Sequence, residues 1–257
     1  KKEQAFQPNA FLQITADNQI HFFLPRVEMG QGTMTGLTTL LAEELEVEPE
    51  SIQIRHAGVH GDYANPEMGM QGTGGSSSIK ASYYPIRQAA ANAREMIRTA
   101  AAKQLQMPAE QLELSDGQVH WQGKSRPYGA FVDIANTLPV PEAILKQPDQ
   151  FTQIGKERPR LDGLAKATGT AEYGIDVEIP NLYRAALLRC PVIGGKVKQN
   201  NSTAVEKMPG VKRVITIFNG VAVVADSYWQ AKKALELLQV EWDLPALASQ
   251  SSESIQR

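Results

Sequence analysis

Cysteine is nearly absent from this chain of 257 residues, which contains Cys190 alone. A single thiol excludes a disulfide within the chain. It also excludes an iron–sulfur cluster or a structural zinc site built from cysteines of this chain. Cys190 ends an apolar run that starts at residue 185, and this setting indicates a thiol buried in a core rather than a reactive one.

The sequence also lacks long apolar runs, an excess of charge and the common hydrolase motifs. No apolar stretch approaches the roughly 18 residues that a membrane-spanning helix needs. A formal net charge of −2 and a pI near 6.2 give no indication of nucleic-acid binding. No P-loop string and no Gly-x-Ser-x-Gly string occurs. The content of 42% hydrophobic residues is instead typical of one large or two ordinary globular domains.

Glycine, by contrast, is concentrated in two near-copies of one short string. Residues 28–33 read Glu-Met-Gly-Gln-Gly-Thr, and residues 67–73 read Glu-Met-Gly-Met-Gln-Gly-Thr before Gly-Gly-Ser-Ser-Ser at 74–78. A helical pattern follows each copy. Glycine admits positive φ and close approach of a ligand, and a helix N-terminus offers unpaired N–H groups. The two copies predict loops that bind one anionic group, a phosphate or pyrophosphate, with two purely structural turns as the alternative.

The segments after the two strings also resemble each other. A proline follows each predicted helix, and apolar positions recur at one constant offset, which suggests a duplicated loop–helix–strand element. The matching pairs are Leu45 and Leu105, Val47 and Met107, Ile52 and Leu112, and Ile54 and Leu114.

Periodicity predicts an α+β fold. A hairpin is expected at 10–24, and the helix after the first string is expected to place Glu43, Glu44 and Glu46 on its outer side. Pro85 predicts either a kink or irregular first turns in the second helix. Later strands are expected at 182–188, 211–218, 220–225 and 240–242, with a helix at 227–238 that turns Trp229, Ala234, Leu237 and Leu238 inward.

Several side chains allow a second interpretation. Glu28 and Glu67 are favoured as loop-bracing carboxylates over a catalytic acid pair, and the serines at 76–78 as helix caps and phosphate contacts over a nucleophile. A zinc site at His56 and His60 is the less favoured alternative to ordinary hydrogen bonding. Arg158 and Arg160 either meet carboxylates of a partner or lie on a solvated surface.

Two of these segments resemble a known family. Residues 28–33 are similar to the glycine–glutamine–glycine motif in large subunits of the molybdenum hydroxylases, the xanthine oxidase family. Residues 154–176 resemble the start of that family's α/β hammerhead domain, and 208–211 and 221–226 fit the same domain. Cofactor-binding material precedes the hammerhead here, an order that resembles the isoquinoline 1-oxidoreductase β-subunit group and the membrane-bound aldehyde dehydrogenases.

Composition and the resemblance together indicate a division into four parts. These are a partial molybdopterin-binding domain at 1–135, a proline-rich linker at 136–153, a hammerhead-like domain at 154–248 and a polar tail at 249–257. The resemblance also implies a molybdopterin cofactor with molybdenum, in the cytosine dinucleotide form. The residues expected to bind this cofactor are Gly30, Gln31, Gly32, Thr33, Thr73, Gly74, Gly75, Ser76, Ser77 and Ser78.

In that family the assembled enzyme oxidatively hydroxylates an aldehyde or an N-heterocycle. The implied partners are the remainder of the large subunit, a small subunit with [2Fe–2S] clusters, a cytochrome c as candidate electron acceptor, and a small-molecule substrate. A periplasmic location is expected because such relatives often carry a twin-arginine leader, with the cytoplasm as the alternative.

The sequence also departs from the family. Its catalytic glutamate lies in a Gly-x-Gly-Glu setting near the end of a much longer chain, and no such string occurs here. The chain resembles the N-terminal third of a large subunit, so we expect it to be inactive alone and assign no catalytic residue and no metal ligand. A non-catalytic phosphate- or nucleotide-binding module, or an assembly fragment, is the alternative.

Overall fold

The structure is a computed structural model that describes residues 5–256. It contains two compact units, of which the first ends at Ala171 and the second begins at Glu172. Residues 1–4, at the start of the first predicted domain, and residue 257, at the end of the predicted tail, lie outside the described residues.

The first unit combines two small sheets with two long helices. One sheet has the strand order β1-β2-β3-β4, and the other has the order β5-β6-β7. Its strands are β1 (Ala5–Phe6), β2 (Leu12–Thr15), β3 (Ile20–Leu24), β4 (Ile52–His56), β5 (Glu113–Ser115), β6 (Gln118–Trp121) and β7 (Lys124–Pro127). Its helices are α1 (Thr33–Leu45), α2 (Ser78–Leu105), α3 (Val132–Ala135) and α4 (Gly163–Ala167).

The predicted hairpin is present, since β2 and β3 pair antiparallel with Leu12 opposite Phe22. β3 then pairs in parallel with β4, and α1 makes the crossover between them. Helices α1 and α2 pack closely at Gly36, where a Cβ atom would lie 2.8 Å from Ile79 Cδ1. The largest fully buried side chains of this unit are Phe6, Leu12, Ile14, Phe22, Leu24, Leu37, Leu41, Leu45, Ile86, Ile97, Tyr128 and Phe131.

The predicted duplication is visible in the backbone. Glu46 and Gln106 end α1 and α2 in the left-handed conformation, with φ of 58° and 55°, and both donate their N–H to the carbonyl four residues back. A 3₁₀ turn then leads into a strand in each copy. The copies differ in pairing, because β4 joins the first sheet and β5 starts the second.

Helix α2 continues through Pro85, so the expected kink does not divide it. Proline cannot donate a hydrogen bond, which leaves the carbonyl of Ala81 without its helical donor. Pro85 lies on the exposed side of the helix, where water can take the place of that donor. Periodicity predicts an apolar stripe along α2 that begins at Ile79 and Tyr83. Its later members Ile86, Ala90, Ala93, Ile97 and Ala101 are buried, whereas Tyr83 is half-buried and Ile79 is 39% exposed.

The placement of Glu43 and Glu44 on the outer side of α1 was wrong, since both side chains are fully buried. Glu43 accepts hydrogen bonds from Lys146 Nζ at 2.7 Å and from the N–H groups of residues 152–154. Burial opposes ionisation of Glu43, but Lys146 and these N–H groups outweigh it and lower its pKa to about 2. Glu44 binds Arg87 at 2.7 Å and Arg94 at 3.2 Å.

These buried acids hold much of the segment predicted as a linker, residues 136–153, against α1 and α2. That segment therefore lies within the first unit. The structure divides the chain after Ala171, later than the predicted start of the second domain at 154.

The second unit is a smaller α+β structure. Its strands are β8 (Arg184–Arg189), β9 (Lys196–Asn200), β10 (Val211–Ile217), β11 (Gly220–Ala225) and β12 (Val240–Asp243), and its helices are α5 (Ser202–Val205), α6 (Tyr228–Glu236) and α7 (Ser252–Gln256). One antiparallel sheet has the order β10-β11-β8, and β12 pairs with β9. α6 covers the sheet face of Val221 and Val223, and the predicted polar tail contains the exposed helix α7.

Two details of this unit differ from expectation. Trp229 and Leu237 are 64% and 60% exposed, whereas Ala234 and Leu238 are buried as predicted. Cys190 is half-buried rather than a core thiol, because it follows the edge strand β8 instead of lying inside it.

Candidate anion-binding site

Both glycine strings follow strands that end at one edge of the first sheet. β3 and β4 are parallel and in register, with Leu24 opposite His56, so their carboxyl ends lie side by side. We call residues 25–32 the first glycine loop and residues 57–77 the second glycine loop. They lead into α1 and α2, respectively, and the Val27 N–H donates to Thr73 Oγ1 at 2.9 Å to join them. Loops beyond the carboxyl ends of parallel strands commonly bind ligands.

The first glycine loop is closed by its own carboxylate. Glu28 accepts hydrogen bonds from the N–H groups of Gly30 at 2.7 Å, Gly32 at 3.2 Å and Met34 at 2.9 Å. Its side chain is only 4% exposed. Glu28 thus occupies the anion position at the start of α1 and takes up the N–H groups of Gly30 and Gly32. The assignment of Gly30 and Gly32 to cofactor binding stays a prediction. The structural interpretation of Glu28 is confirmed.

Basic side chains surround this carboxylate. Arg160 Nη2 lies 2.9 Å from Glu28 Oε1, and Arg160 Nη1 donates to the Gly30 carbonyl at 2.7 Å. Burial would raise the pKa of Glu28, but the three N–H groups and the charge of Arg160 hold it below its ordinary value. Hydrogen bonding to Arg160 and Lys166 likewise lowers the pKa of Asp162 to about 2. Arg160 and Arg158, which pairs with Glu50 at 2.5 Å, thus contact acids of their own chain.

Gln31 also folds back onto the first loop. Its Oε1 accepts from the Met29 N–H at 2.6 Å, and its Nε2 donates to the Val27 carbonyl at 2.9 Å. Gly30 and Gly32 have φ of 103° and 85°, a conformation that favours glycine. The first loop is thus self-contained and presents side chains rather than N–H groups.

The second glycine loop is braced by Asn65 rather than by its glutamate. The fully buried Asn65 donates from Nδ2 to Ser77 Oγ at 2.6 Å, accepts from the Glu67 N–H at 3.0 Å, and forms a bridge with Met70. Ser77 Oγ also donates to the Gly74 carbonyl at 2.8 Å. Ser77 therefore serves the internal structure of the loop, and its contact with phosphate stays a prediction.

The N-terminus of α2 remains open. Within residues 5–256, no acceptor meets the N–H groups of Ser78, Ile79 or Lys80. Glu67, the counterpart of Glu28, forms an exposed ion pair with Lys80 Nζ at 2.9 Å instead of accepting from these groups. Gly75 and Ser76, which precede the helix, have positive φ of 60° and 54°.

A cavity of about 310 Å³ lies between the two loops. None of its lining side chains is charged, four carry a hydroxyl group, and two are apolar. The lining residues are Met29, Gln31, Thr33, Thr73, Gly74, Ser76, Ser78 and Ile79. Six of the ten predicted cofactor-binding residues thus line one cavity, whereas Gly30, Gly32, Gly75 and Ser77 do not.

Sequence reasoning missed three residues that shape this region, namely Arg26, Asn65 and Arg160 as an intrachain partner. Arg26 is 3% exposed and donates to carbonyls of the second loop. An arginine two residues before the first string was a visible signal, since a basic residue just beyond an apolar strand is unusual. Asn65 lacked any such signal.

The described residues show no cluster of three or more His, Cys, Asp or Glu side chains that could hold a metal ion. His60 instead accepts from the Asp62 N–H at 3.3 Å, which agrees with ordinary hydrogen bonding. No helix within residues 5–256 combines the length and apolarity needed to cross a membrane.

Comparison with known proteins identifies the first unit. The molybdopterin cofactor-binding domain family matches residues 2–177. The beta subunit of isoquinoline 1-oxidoreductase from Brevundimonas diminuta is 28% identical over 277 residues, covering 93% of this chain and 35% of that protein. The B subunit of nicotinate dehydrogenase from Pseudomonas putida is 32% identical over 244 residues, covering 90% of this chain and 20% of that protein.

A further relative carries another cofactor in its name. The membrane-bound aldehyde dehydrogenase [pyrroloquinoline-quinone] of Gluconacetobacter polyoxogenes is 30% identical over 253 residues, covering 93% of this chain and 32% of that protein. The chain thus spans about a third or less of the length of these relatives. Because the domain family matches more than half of the chain, the chain belongs to the molybdopterin-binding family of the molybdenum hydroxylase large subunits.

Proposed function

We propose that this chain is part of a molybdopterin-dependent oxidoreductase, and that the cavity between the glycine loops holds phosphate of the pterin dinucleotide. The observation that carries this proposal is the open N-terminus of α2 beside a lining rich in hydroxyl groups. Three unpaired N–H groups and a positive helix end favour an anion, and no carboxylate of the lining would repel it.

The residues of the cavity divide the work of binding. Ser76 and Ser78 offer hydroxyl donors at the start of α2, and Thr73 fixes the second loop to the first through Val27. Gln31 and Thr33 close the opposite wall. Met29 and Ile79 add apolar surface against which a ring can pack. A pterin dinucleotide requires this mixture of anion donors and apolar contacts.

When bound, the molybdenum cofactor supplies the two-electron oxidation of a substrate carbon. This chain holds the cofactor and orients it, and the substrate class is an aldehyde or an N-heterocycle. The relatives named for isoquinoline, nicotinate and aldehyde oxidation support that class. The cytosine form of the dinucleotide belongs to the same proposal.

The second unit fits a hammerhead-like domain that starts near residue 172. Its antiparallel sheet β10-β11-β8, covered by α6, supports this assignment. The partners in the assembled enzyme are the remainder of the large subunit and a small [2Fe–2S] subunit, with a cytochrome c as electron acceptor and the periplasm as location.

The test is to purify the protein with its natural neighbouring chains and to measure molybdenum by elemental mass spectrometry, together with the nucleotide released by acid hydrolysis. About one molybdenum per complex with an equal amount of cytidine monophosphate is expected, since the cofactor carries one metal and one nucleotide. A host known to make the cofactor is used throughout.

Other outcomes would contradict the proposal in different ways. Pyrroloquinoline quinone in the extract, without molybdenum, would show that the protein binds this quinone and not molybdopterin. Binding of cytidine diphosphate with no metal and no pterin would indicate a non-catalytic nucleotide-binding module. The absence of both metal and nucleotide would indicate that the chain is an assembly fragment.

A further inference from the structure

Arg26 is a buried cation without an acid partner. It lies two residues beyond the end of β3 and is 3% exposed. Its guanidinium donates to the carbonyls of Pro25 at 3.0 Å, Tyr63 at 2.8 Å and Ala64 at 3.4 Å, while Nε has no acceptor. No described carboxylate forms an ion pair with it. Burial accordingly lowers the pKa of Arg26 from its ordinary value.

Two other buried arginines of the same unit do have an acid partner. Arg87 and Arg94 are 4% and 7% exposed, and both pair with the buried carboxylate of Glu44. A buried charge without a counter-charge reduces stability, because neutral carbonyl groups replace only part of its lost hydration. The described residues therefore supply no negative charge that would compensate the buried guanidinium of Arg26.

Arg26 does not line the cavity itself, but residues next to its contacts bind segments that do. Ala64, whose carbonyl it binds, precedes Asn65, and Asn65 holds Ser77 at the start of α2. Val27, the next residue, donates its N–H to Thr73 on the cavity wall. Residues 26 and 27 therefore hold the second glycine loop at two places, residues 63–64 and residue 73.

From these contacts we propose that Arg26 is a positioning residue of the anion cavity whose positive charge is matched by the bound phosphate instead of a carboxylate of the chain. The lining of the cavity contains no charged side chain, and helix N–H groups carry only partial charge. The full positive charge of Arg26 would therefore add substantially to the attraction of a phosphate. The inference rests on the proposed function, because it names Arg26 as the cation that balances the phosphate in the cavity.

The experiment is a calorimetric titration of the full chain with inorganic pyrophosphate, at low and at physiological salt. Arg26→Gln removes the charge and keeps two N–H donors for the carbonyls, whereas Arg26→Lys keeps the charge. We expect Arg26→Gln to weaken pyrophosphate binding by about fivefold or more, and Arg26→Lys to retain most of the affinity. Arg158→Gln, the matched loss of one charge at an ion-paired arginine, should leave affinity within about twofold.

Denaturant midpoints of all variants distinguish an electrostatic role of Arg26 from a purely structural one. If Arg26 only braces the loop, both Arg26 variants lose affinity in proportion to their lost stability, and the inference is overturned. Unchanged affinity in Arg26→Gln also overturns it, while leaving the cavity intact as an anion site. No pyrophosphate binding by the unaltered chain overturns the cavity itself, and the inference with it. Should Arg26→Gln fail to fold, retained affinity in Arg26→Lys supports the charge and its loss refutes it.

Discussion

The two glycine loops share a sequence but differ in state. In the first, the glutamate of the shared string turns inward and caps the N-terminus of α1. In the second, the corresponding Glu67 pairs with Lys80 at the surface and leaves the N-terminus of α2 open. The cause is spacing, since α1 begins at the last residue of the first string, whereas residues 74–77 separate the second string from α2.

The difference shows how a duplicated element can acquire two roles. A carboxylate at a helix N-terminus takes the same N–H groups and the same favourable field that a phosphate would use. The closed loop therefore contributes a rigid wall, and the open loop contributes the donors. A shared string predicts where a loop lies, but the distance to the helix decides what the loop can bind.

Removing each glutamate separately tests whether Glu28 and Glu67 contribute differently to the stability of the fold. Glu28→Ala should lower the free energy of unfolding by about 3 kcal/mol, because three N–H groups lose a charged and buried acceptor. Glu67→Ala should change it by no more than about 0.5 kcal/mol, since its ion pair is exposed. Urea unfolding followed by circular dichroism measures both values. Equal losses would show that Glu28 is no more important to its loop than Glu67.

A smaller effect concerns pH. The pKa of Glu28 is held below its ordinary value in the folded chain, so its ionisation stabilises the fold above the unfolded pKa and that stability is lost as pH falls through the folded pKa. The gap in unfolding free energy between the unaltered chain and Glu28→Gln should be constant from pH 6 to 8 and shrink below about pH 4.5. Glu43 titrates in both proteins and cancels from the difference. A gap that persists unchanged at low pH would contradict the charge-based account of the closed loop.

Glycine substitutions sharpen the contrast between a rigid and an open loop. Gly32 has φ of 85° and free space where a Cβ would lie, so Gly32→Ala should cost about 1–2 kcal/mol from backbone strain alone. Gly74 lacks a positive φ, and its Cβ would touch Met68 Cε at an ordinary 3.7 Å. Gly74→Ala should therefore stay within about 0.5 kcal/mol. Thermal unfolding of both variants is the measurement, and a larger loss for Gly74→Ala would reverse the assignment.

Much of the fold followed from local pattern. The hairpin, the helices and the duplicated loop–helix–strand element depend on periodicity and on neighbouring residues, and they lie where the sequence predicts them. The burial of Glu43 and Glu44 could not be predicted, because their partners at Lys146 and residues 152–154 are distant in sequence. An acid beside other acids on a helix ordinarily faces water.

The site was predictable only in part for the same reason. Composition and spacing identified both loops, and six of the predicted residues line one cavity. That Glu28 fills the first loop depends on the direction of one side chain and on Arg160, far along the chain. The parallel pairing of β3 with β4, which brings the loops together, is likewise a long-range contact.

Adjacent serines at the start of α2 give the finest test of the open loop. Ser77 is bound to Asn65 and Gly74, whereas the Ser78 hydroxyl lines the cavity and has no partner among the described residues. Ser77→Ala should cost about 1 kcal/mol of stability by leaving the buried Asn65 amide unpaired. Ser78→Ala should keep stability and weaken pyrophosphate binding by about threefold to tenfold, the equivalent of one lost hydrogen bond. Calorimetric titration and urea unfolding on both variants would reveal a reversal of this pattern, which would place the anion on Ser77 and require the Asn65 brace to open when the ligand binds.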